Sequence, residues 1–247
     1  CIHRINNKDN IFNAHQSGGR IVGLNKYKIL LSMGDFRNRY LAQENKSVNG
    51  KILSININNK KYEILSMGHR NVQGLLYDNE NKIIVSTEHG PRGGDEINIL
   101  NLLNLNPNEI ANFGWPVSSY GEHYVQSDRN ELGWTSKDTD QAYKNYPLYK
   151  SHKKYGFIEP VKYYVPSIGI SEVVSIDPLN KIYIHSSLRD KALNLFTLDR
   201  QNRIKKNVRI AINERIRDMI KYENQIILFL EDTASIGIIN IDDIDYR

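Results

Sequence analysis

The sequence predicts an all-β protein with propeller organisation, and three observations carry that expectation. One strand pattern recurs four times, as Lys28-Ile29-Leu30-Leu31-Ser32, Lys82-Ile83-Ile84-Val85-Ser86, Lys181-Ile182-Tyr183-Ile184-His185 and Gln225-Ile226-Ile227-Leu228-Phe229. The isoleucines at 29, 83, 182 and 226 are 54, 99 and 44 residues apart. Propeller blades repeat every ~40–50 residues, so the 99 reads as two units or as one unit with a large insertion. The copies also share a grammar of flanking strands. Finally, no long stretch keeps a helical period, and Asn104 to Asn112 has room for one short helix at most.

The flanking strands follow in chain order. Gly19-Arg20-Ile21-Val22, Gly74-Leu75-Leu76-Tyr77, Glu172-Val173-Val174-Ser175 and Ile216-Arg217-Asp218-Met219 precede the four copies. Gly50-Lys51-Ile52-Leu53-Ser54-Ile55, Asp95-Glu96-Ile97-Asn98-Ile99, Ala192-Leu193-Asn194-Leu195-Phe196 and Ser235-Ile236-Gly237-Ile238-Ile239 follow them. We read residues 1–247 as a single propeller domain. Because a closed ring removes sheet edges that an open arc exposes, four blades imply blades missing at the amino end. The stretch from Trp115 to about Pro160 breaks the rhythm and reads as a long insertion between blades.

Composition narrows the function classes. A 40% hydrophobic and 25% charged chain is ordinary for a globular protein. No apolar run approaches the roughly 20 residues that span a bilayer. Net charge is +5, but the basic residues are scattered. The one dense patch, Arg203-Ile204-Lys205-Lys206, reads as a solvated strand end, so no nucleic-acid partner is expected. A single cysteine, Cys1, excludes an intrachain disulfide and a cysteine-based zinc site. Cysteine at the first position is what a processed lipoprotein shows, although Ile2-His3-Arg4 reads as mid-chain sequence.

Chemistry concentrates between Gly68 and Glu96. Gly68-His69-Arg70-Asn71-Val72-Gln73-Gly74 and Glu88-His89-Gly90-Pro91-Arg92-Gly93-Gly94-Asp95-Glu96 are polar, glycine-rich turns separated by strand patterns. Loops of this kind carry sites while strands hold them still. Glycine lets backbone carbonyls approach a ligand, and oxygen donors of that type suit a hard cation.

These turns, with His15-Gln16-Ser17-Gly18-Gly19-Arg20, Ser32-Met33-Gly34-Asp35, Asn49-Gly50-Lys51-Ile52-Leu53 and Asn112-Phe113-Gly114-Trp115-Pro116, occur in an order that resembles the soluble glucose/sorbosone dehydrogenases. Those are aldose sugar dehydrogenases that use pyrroloquinoline quinone (PQQ). Later matches are Glu159-Pro160-Val161, Val165-Pro166-Ser167-Ile168, Ser186-Ser187-Leu188-Arg189 and Arg215-Ile216-Arg217-Asp218. The resemblance implies a six-bladed β-propeller, of which this chain carries roughly the last four blades, with PQQ and calcium as cofactors. It also implies an aldose substrate, an external electron acceptor, and a periplasmic or extracellular location, with a lipid anchor through Cys1 as one form of it.

Residue by residue, the resemblance makes His15 the general base for the sugar's anomeric hydroxyl. Asp35 is the carboxylate that orients base and substrate. Arg70 and Asn71 become the pair beside the reactive quinone carbonyl. The carbonyls of Gly90 and Pro91 match ligands of the PQQ-bound calcium, Glu96 a second, structural calcium site, and Asp95 a position close to the cofactor. Arg189, Arg215 and Arg217 match contacts to PQQ carboxylates. The chemistry agrees: arginine forks fit carboxylates, and a histidine base titrates near neutrality. His69 and His89 read as structural. Departures fall on the substrate side, where Val165 replaces a pocket-walling Trp and Ile168-Gly169-Ile170-Ser171 replaces an Ala-Pro-Ser pattern, while Val72 stands for proline and Phe113 for Tyr. Two other readings share the architecture: a non-catalytic propeller acting as a binding module, and a calcium-dependent sugar-lactone hydrolase. The hydrolase would not need the arginine cradle.

Overall fold

A computed structural model describes residues 15–124 and 145–245. Cys1 and the middle of the 115–160 stretch lie outside the described residues. Among the described residues, sixteen strands form four separate sheets, joined by short turns and four 3-10 segments. The chain divides into two compact units, residues 1–72 with 106–159 and residues 73–105 with 160–247.

The first unit is built on β1 (Gly18–Asn25), β2 (Lys28–Met33), β3 (Lys51–Asn56) and β4 (Tyr62–Met67), an antiparallel meander. The β1–β2 turn is tight because the Asn25 side chain accepts from the Tyr27 and Lys28 amides. A two-residue strand, β8 (Ala111–Asn112), joins β4 in parallel and brings a distant segment to the sheet edge. The β2–β3 connection is long and holds a 3-10 turn, Arg39–Gln43.

The second unit stacks three sheets. β5 (Val72–Asp78), β6 (Ile83–Glu88), β7 (Asp95–Asn101) and β9 (Lys162–Tyr164) make one. β10 (Ile170–Asp177), β11 (Ile182–Ser187), β12 (Ala192–Leu198) and β13 (Ile204–Ala211) make the next, and β14 (Ile216–Tyr222), β15 (Gln225–Leu230) and β16 (Ser235–Asn240) the last. The middle sheet is apolar on both faces because alternate side chains point opposite ways. Val173, Tyr183 and Phe196 pack with Ile83, Val85, Ile97 and Ile99 on one side. Their neighbours Val174, Ile184 and Leu195 pack with Ile216, Met219, Ile226 and Leu228 on the other.

All twelve strands read from the sequence are present. Four were not: β4, β8, β9 and β13, each an outer or added strand with weak apolar alternation. β13 starts at Ile204, inside the basic patch, and alternates half-buried and exposed residues along its length. The last sheet has three strands, and Ile220, Tyr222, Ile236 and Ile238 are exposed on it.

The double-sided core sets a stability prediction. Leu195 is fully buried, so Leu195→Ala should cost about 2–5 kcal/mol in denaturant unfolding. Leu179 is 81% exposed in the β10–β11 turn, and Leu179→Ala should stay within about 0.5 kcal/mol of wild type.

Candidate functional site

In the first unit three sequence-distant motifs meet around one carboxylate. Asp35 follows β2 and is fully buried. Its amide donates to the Arg70 carbonyl at 2.9 Å, which locks it to the end of β4. Trp115 Nε1 donates to Oδ2 at 2.8 Å, and the Arg37 amide to Oδ1 at 2.8 Å. The Gln16 amide nitrogen faces Oδ1 at 2.7 Å, and its oxygen then accepts from Arg70 Nη2 at 2.9 Å. Asp35 thus anchors the residue next to His15, which is itself exposed. Gly34 makes this approach possible, since a Cβ there would fall 1.7 Å from the Gln16 carbonyl oxygen.

Positive charge surrounds the carboxylate. The Trp115 ring carries Arg39 at 5.1 Å and Arg70 at 5.4 Å from its centroid. Arg70 Nη2 also donates to Tyr124 Oη at 2.8 Å. Burial pushes the Asp35 carboxyl above the ordinary carboxylate range, and Arg70, the Arg37 amide and Trp115 oppose that push. Burial, and then Arg70, bring Arg39 down to about 10. Asn71 accepts from the Gly18 amide at 3.2 Å, so its side chain tethers the start of β1.

One organiser of this unit escaped the sequence reading. Lys51 is buried, and its ammonium donates to the carbonyls of Leu41, Ala42 and Asn49 at 2.9, 3.0 and 2.7 Å. Burial lowers it to about 8. It gathers the β2–β3 loop that presents Asp35. Gln43 completes the frame, donating to the Trp115 carbonyl at 2.6 Å and accepting from Asn112 at 2.8 Å. His69 is structural, with Ser66 Oγ at 2.8 Å and the Phe113 ring at 4.9 Å.

In the second unit the remaining candidates gather at one end of the strands. Gly90 and Pro91 lie in the β6–β7 turn, held by Asp95. Asp95 is fully buried and accepts from the Gly90 amide at 3.1 Å, Ser167 Oγ at 2.5 Å, and the Ile168 and Ile170 amides at 3.1 and 3.0 Å. Its observed work is to clamp the turn to the segment before β10. That segment in turn accepts, through the Ile168 carbonyl, from the Arg189 amide at 2.9 Å. Arg189 is exposed. Val165 is 61% exposed and close to Gly93, so the position that the resemblance assigns to the sugar pocket lies over this turn.

Glu96 is buried opposite Glu88 in the β6–β7 register, and accepts from Asn98 Nδ2 at 3.3 Å. Among the described residues, no group of three or more His, Cys, Asp or Glu is arranged to hold a metal. The backbone carbonyls of Gly90 and Pro91 and the Glu96 carboxylate are oxygen donors, the chemistry that a hard cation such as calcium would need.

Arg215 precedes β14 and Arg217 lies in the β-bulge between Ile216 and Asp218, and the two side chains converge on one acid. Both bind Glu231: Arg215 Nε donates to Oε2 at 2.8 Å, and Arg217 Nε and Nη2 to Oε1 at 3.1 and 2.6 Å. The bonds to Arg217 and then Arg215 hold the Glu231 carboxyl below its usual range. Nearby, Asp232 Oδ2 accepts from Lys191 Nζ at 2.7 Å and from the Arg215 amide at 3.3 Å. Glu231 and Asp232 were not singled out in the sequence, where they look like turn acids after β15. The pair already grips one carboxylate, which is the observation that makes it fit a polycarboxylate cofactor.

The sequence profile of the Glucose / Sorbosone dehydrogenase family matches residues 3–132 and 128–240. An uncharacterised protein of Synechocystis is 29% identical over 230 residues, covering 82% of this chain and 50% of its own. Aldose sugar dehydrogenase YliI of Escherichia coli is 32% identical over 120 residues, 43% of this chain and 30% of its own. The chain therefore spans half or less of the length of these curated relatives. Among solved structures, the PQQ-bound form of aldose sugar dehydrogenase from Streptomyces coelicolor matches with a TM-score of 0.61 at 21% identity, over 89% of this chain and 57% of that one. The fold is thus all-β of the six-bladed β-propeller class, and the chain carries roughly its last four blades.

Asp35 and Lys51 each set a prediction for the first unit. Asp35 binds its proton more tightly in the fold than in the unfolded chain, where it titrates near 3.8. The resulting stability is complete below that value and is lost as pH rises through the folded value. Asp35→Asn removes this loss, so urea unfolding from about pH 4 to about pH 7 should show the variant gaining stability relative to wild type; parallel profiles would contradict the assignment. Lys51→Met leaves three carbonyls without their donor and should cost about 1–3 kcal/mol, with faster amide exchange across residues 34–50.

Proposed function

Because the chain belongs to the glucose/sorbosone dehydrogenase family, we propose that it takes part in the oxidation of an aldose at C1 to the lactone, with PQQ and calcium as cofactors and an external acceptor for the two electrons. The observation that carries this reading is Asp35, a fully buried carboxyl held by Trp115, Gln16 and the Arg37 amide beside Arg70. Such an arrangement costs stability in a purely structural turn and is what an active site needs to fix a base and a substrate.

The chain's own residues divide the work. His15 takes the proton of the anomeric hydroxyl. Asp35 fixes Gln16, and through it the segment that carries the base. Arg70 and Asn71 hold the reactive edge of the quinone, and Arg70 places positive charge where negative charge develops during oxidation. Arg189, Arg215 and Arg217 hold carboxylates of the cofactor. The carbonyls of Gly90 and Pro91 serve the calcium beside it, Asp95 keeps their turn in shape close to the cofactor, and Glu96 serves a second, structural cation. When bound, PQQ supplies the acceptor for the hydride equivalent that leaves C1.

The location we propose is periplasmic or extracellular, in keeping with the family reading. No helix among the described residues is long and apolar enough to cross a membrane.

Reconstitution tests the proposal: the full chain with PQQ and calcium, an aldose panel and an artificial acceptor. Turnover should require both cofactors. His15→Ala should lower kcat by at least about a hundredfold while leaving PQQ affinity within about threefold, because base catalysis and cofactor binding use different groups. A folded chain that binds no PQQ would sink the dehydrogenase reading.

A further inference from the structure

Arg215 and Arg217 are partly exposed cations at the second unit's turn end, and a residue of this chain occupies them. Glu231 accepts three of their hydrogen bonds, using Arg215 Nε and both the Nε and Nη2 edge of Arg217. These are the fork donors that an incoming carboxylate would use. Glu231 is placed there by backbone pairing, since its amide donates to the Arg215 carbonyl at 2.8 Å directly beyond the last β14–β15 pair, Ile216 with Leu230. It cannot drift far from the pair without breaking that register.

We propose that Glu231 is a built-in competitor for the cofactor's carboxylate, setting how tightly and how fast the cofactor loads. This rests on the cofactor reading above. Charge argues for competition rather than simple orientation. Arg215 and Arg217 together present two positive charges, and Glu231 cancels one of them at contact distance. The opposite charges elsewhere in this cluster are spoken for in the same manner: Asp190 accepts from Arg209, and Asp232 from Lys191. Arg189 sits on the same turn as Asp190 and Lys191. The Glu231 and Arg217 side chains are 37% and 49% exposed, so the pair is weak enough to exchange in water, and a ligand carboxylate can displace it without opening the core. A cofactor with several carboxylates meets Glu231 as a like charge wherever the displaced side chain remains nearby.

The test compares PQQ binding, followed by fluorescence titration and stopped flow in the presence of calcium, for wild type, Glu231→Gln and Glu80→Gln. Glu80 is an exposed acid in the β5–β6 turn, at the opposite end of β6 from the Gly90 turn, and it controls for net charge alone. Glu231→Gln keeps the shape and one acceptor oxygen but removes the charge. It should bind PQQ about five- to tenfold more tightly, chiefly through faster association, and its affinity should fall more steeply with salt than that of wild type. Glu80→Gln should match wild type in both respects. Equal or weaker binding by Glu231→Gln, or equal tightening by Glu80→Gln, would overturn the competitor role while leaving the cofactor reading in place. Absence of PQQ binding in all three folded proteins would overturn the cofactor reading, and this inference with it.

Discussion

The first unit is arranged around the cost of burying the Asp35 carboxyl. An ionisable group at zero exposure has to be met by donors from several directions, or it stays protonated. Here the donors come from three separated stretches: Gln16 before β1, Arg37 just beyond Asp35, and Trp115 after β8. Gly34 and Lys51 serve that meeting, one by removing a side chain from a backbone contact and the other by gathering three carbonyls of the loop. Arg70, bonded to Tyr124 and stacked on Trp115, then places a fixed cation beside the acid.

The second unit solves a different problem. Its middle sheet is apolar on both faces, which fixes three successive sheets as one rigid stack and leaves the turns at the strand ends for chemistry. Asp95 extends that rigidity into the turns by clamping Gly90 to the Ser167–Ile170 segment. The exposed arginines need no such burial. Their forks are occupied by Glu231, which offsets a concentrated positive charge.

Much of this was legible in the sequence. Strands such as β6 and β11 announce themselves by apolar runs that contain isoleucine, since a strand buried on both faces has no polar alternation to obscure it. Outer strands such as β13 alternate Lys, Asn and Arg with apolar residues and were lost among the loops. Motif order gave the candidate residues. What could not be read were partners brought together by folding: the fork on Glu231, the three carbonyls around Lys51, and the four donors to Asp95. Those bonds depend on register and loop path, and an acid after a strand or a lysine at a strand start carries no local mark of them.

The most direct test of the account is a single-turnover measurement on the chain loaded with PQQ and calcium, with no external acceptor. The account predicts that adding a suitable aldose converts the absorption of the bound cofactor to that of its reduced form, once per site, and that His15→Ala abolishes the conversion while keeping the cofactor bound. A cofactor that binds stoichiometrically yet keeps its oxidised spectrum with every aldose would contradict the enzymatic role and leave a propeller that binds without catalysing.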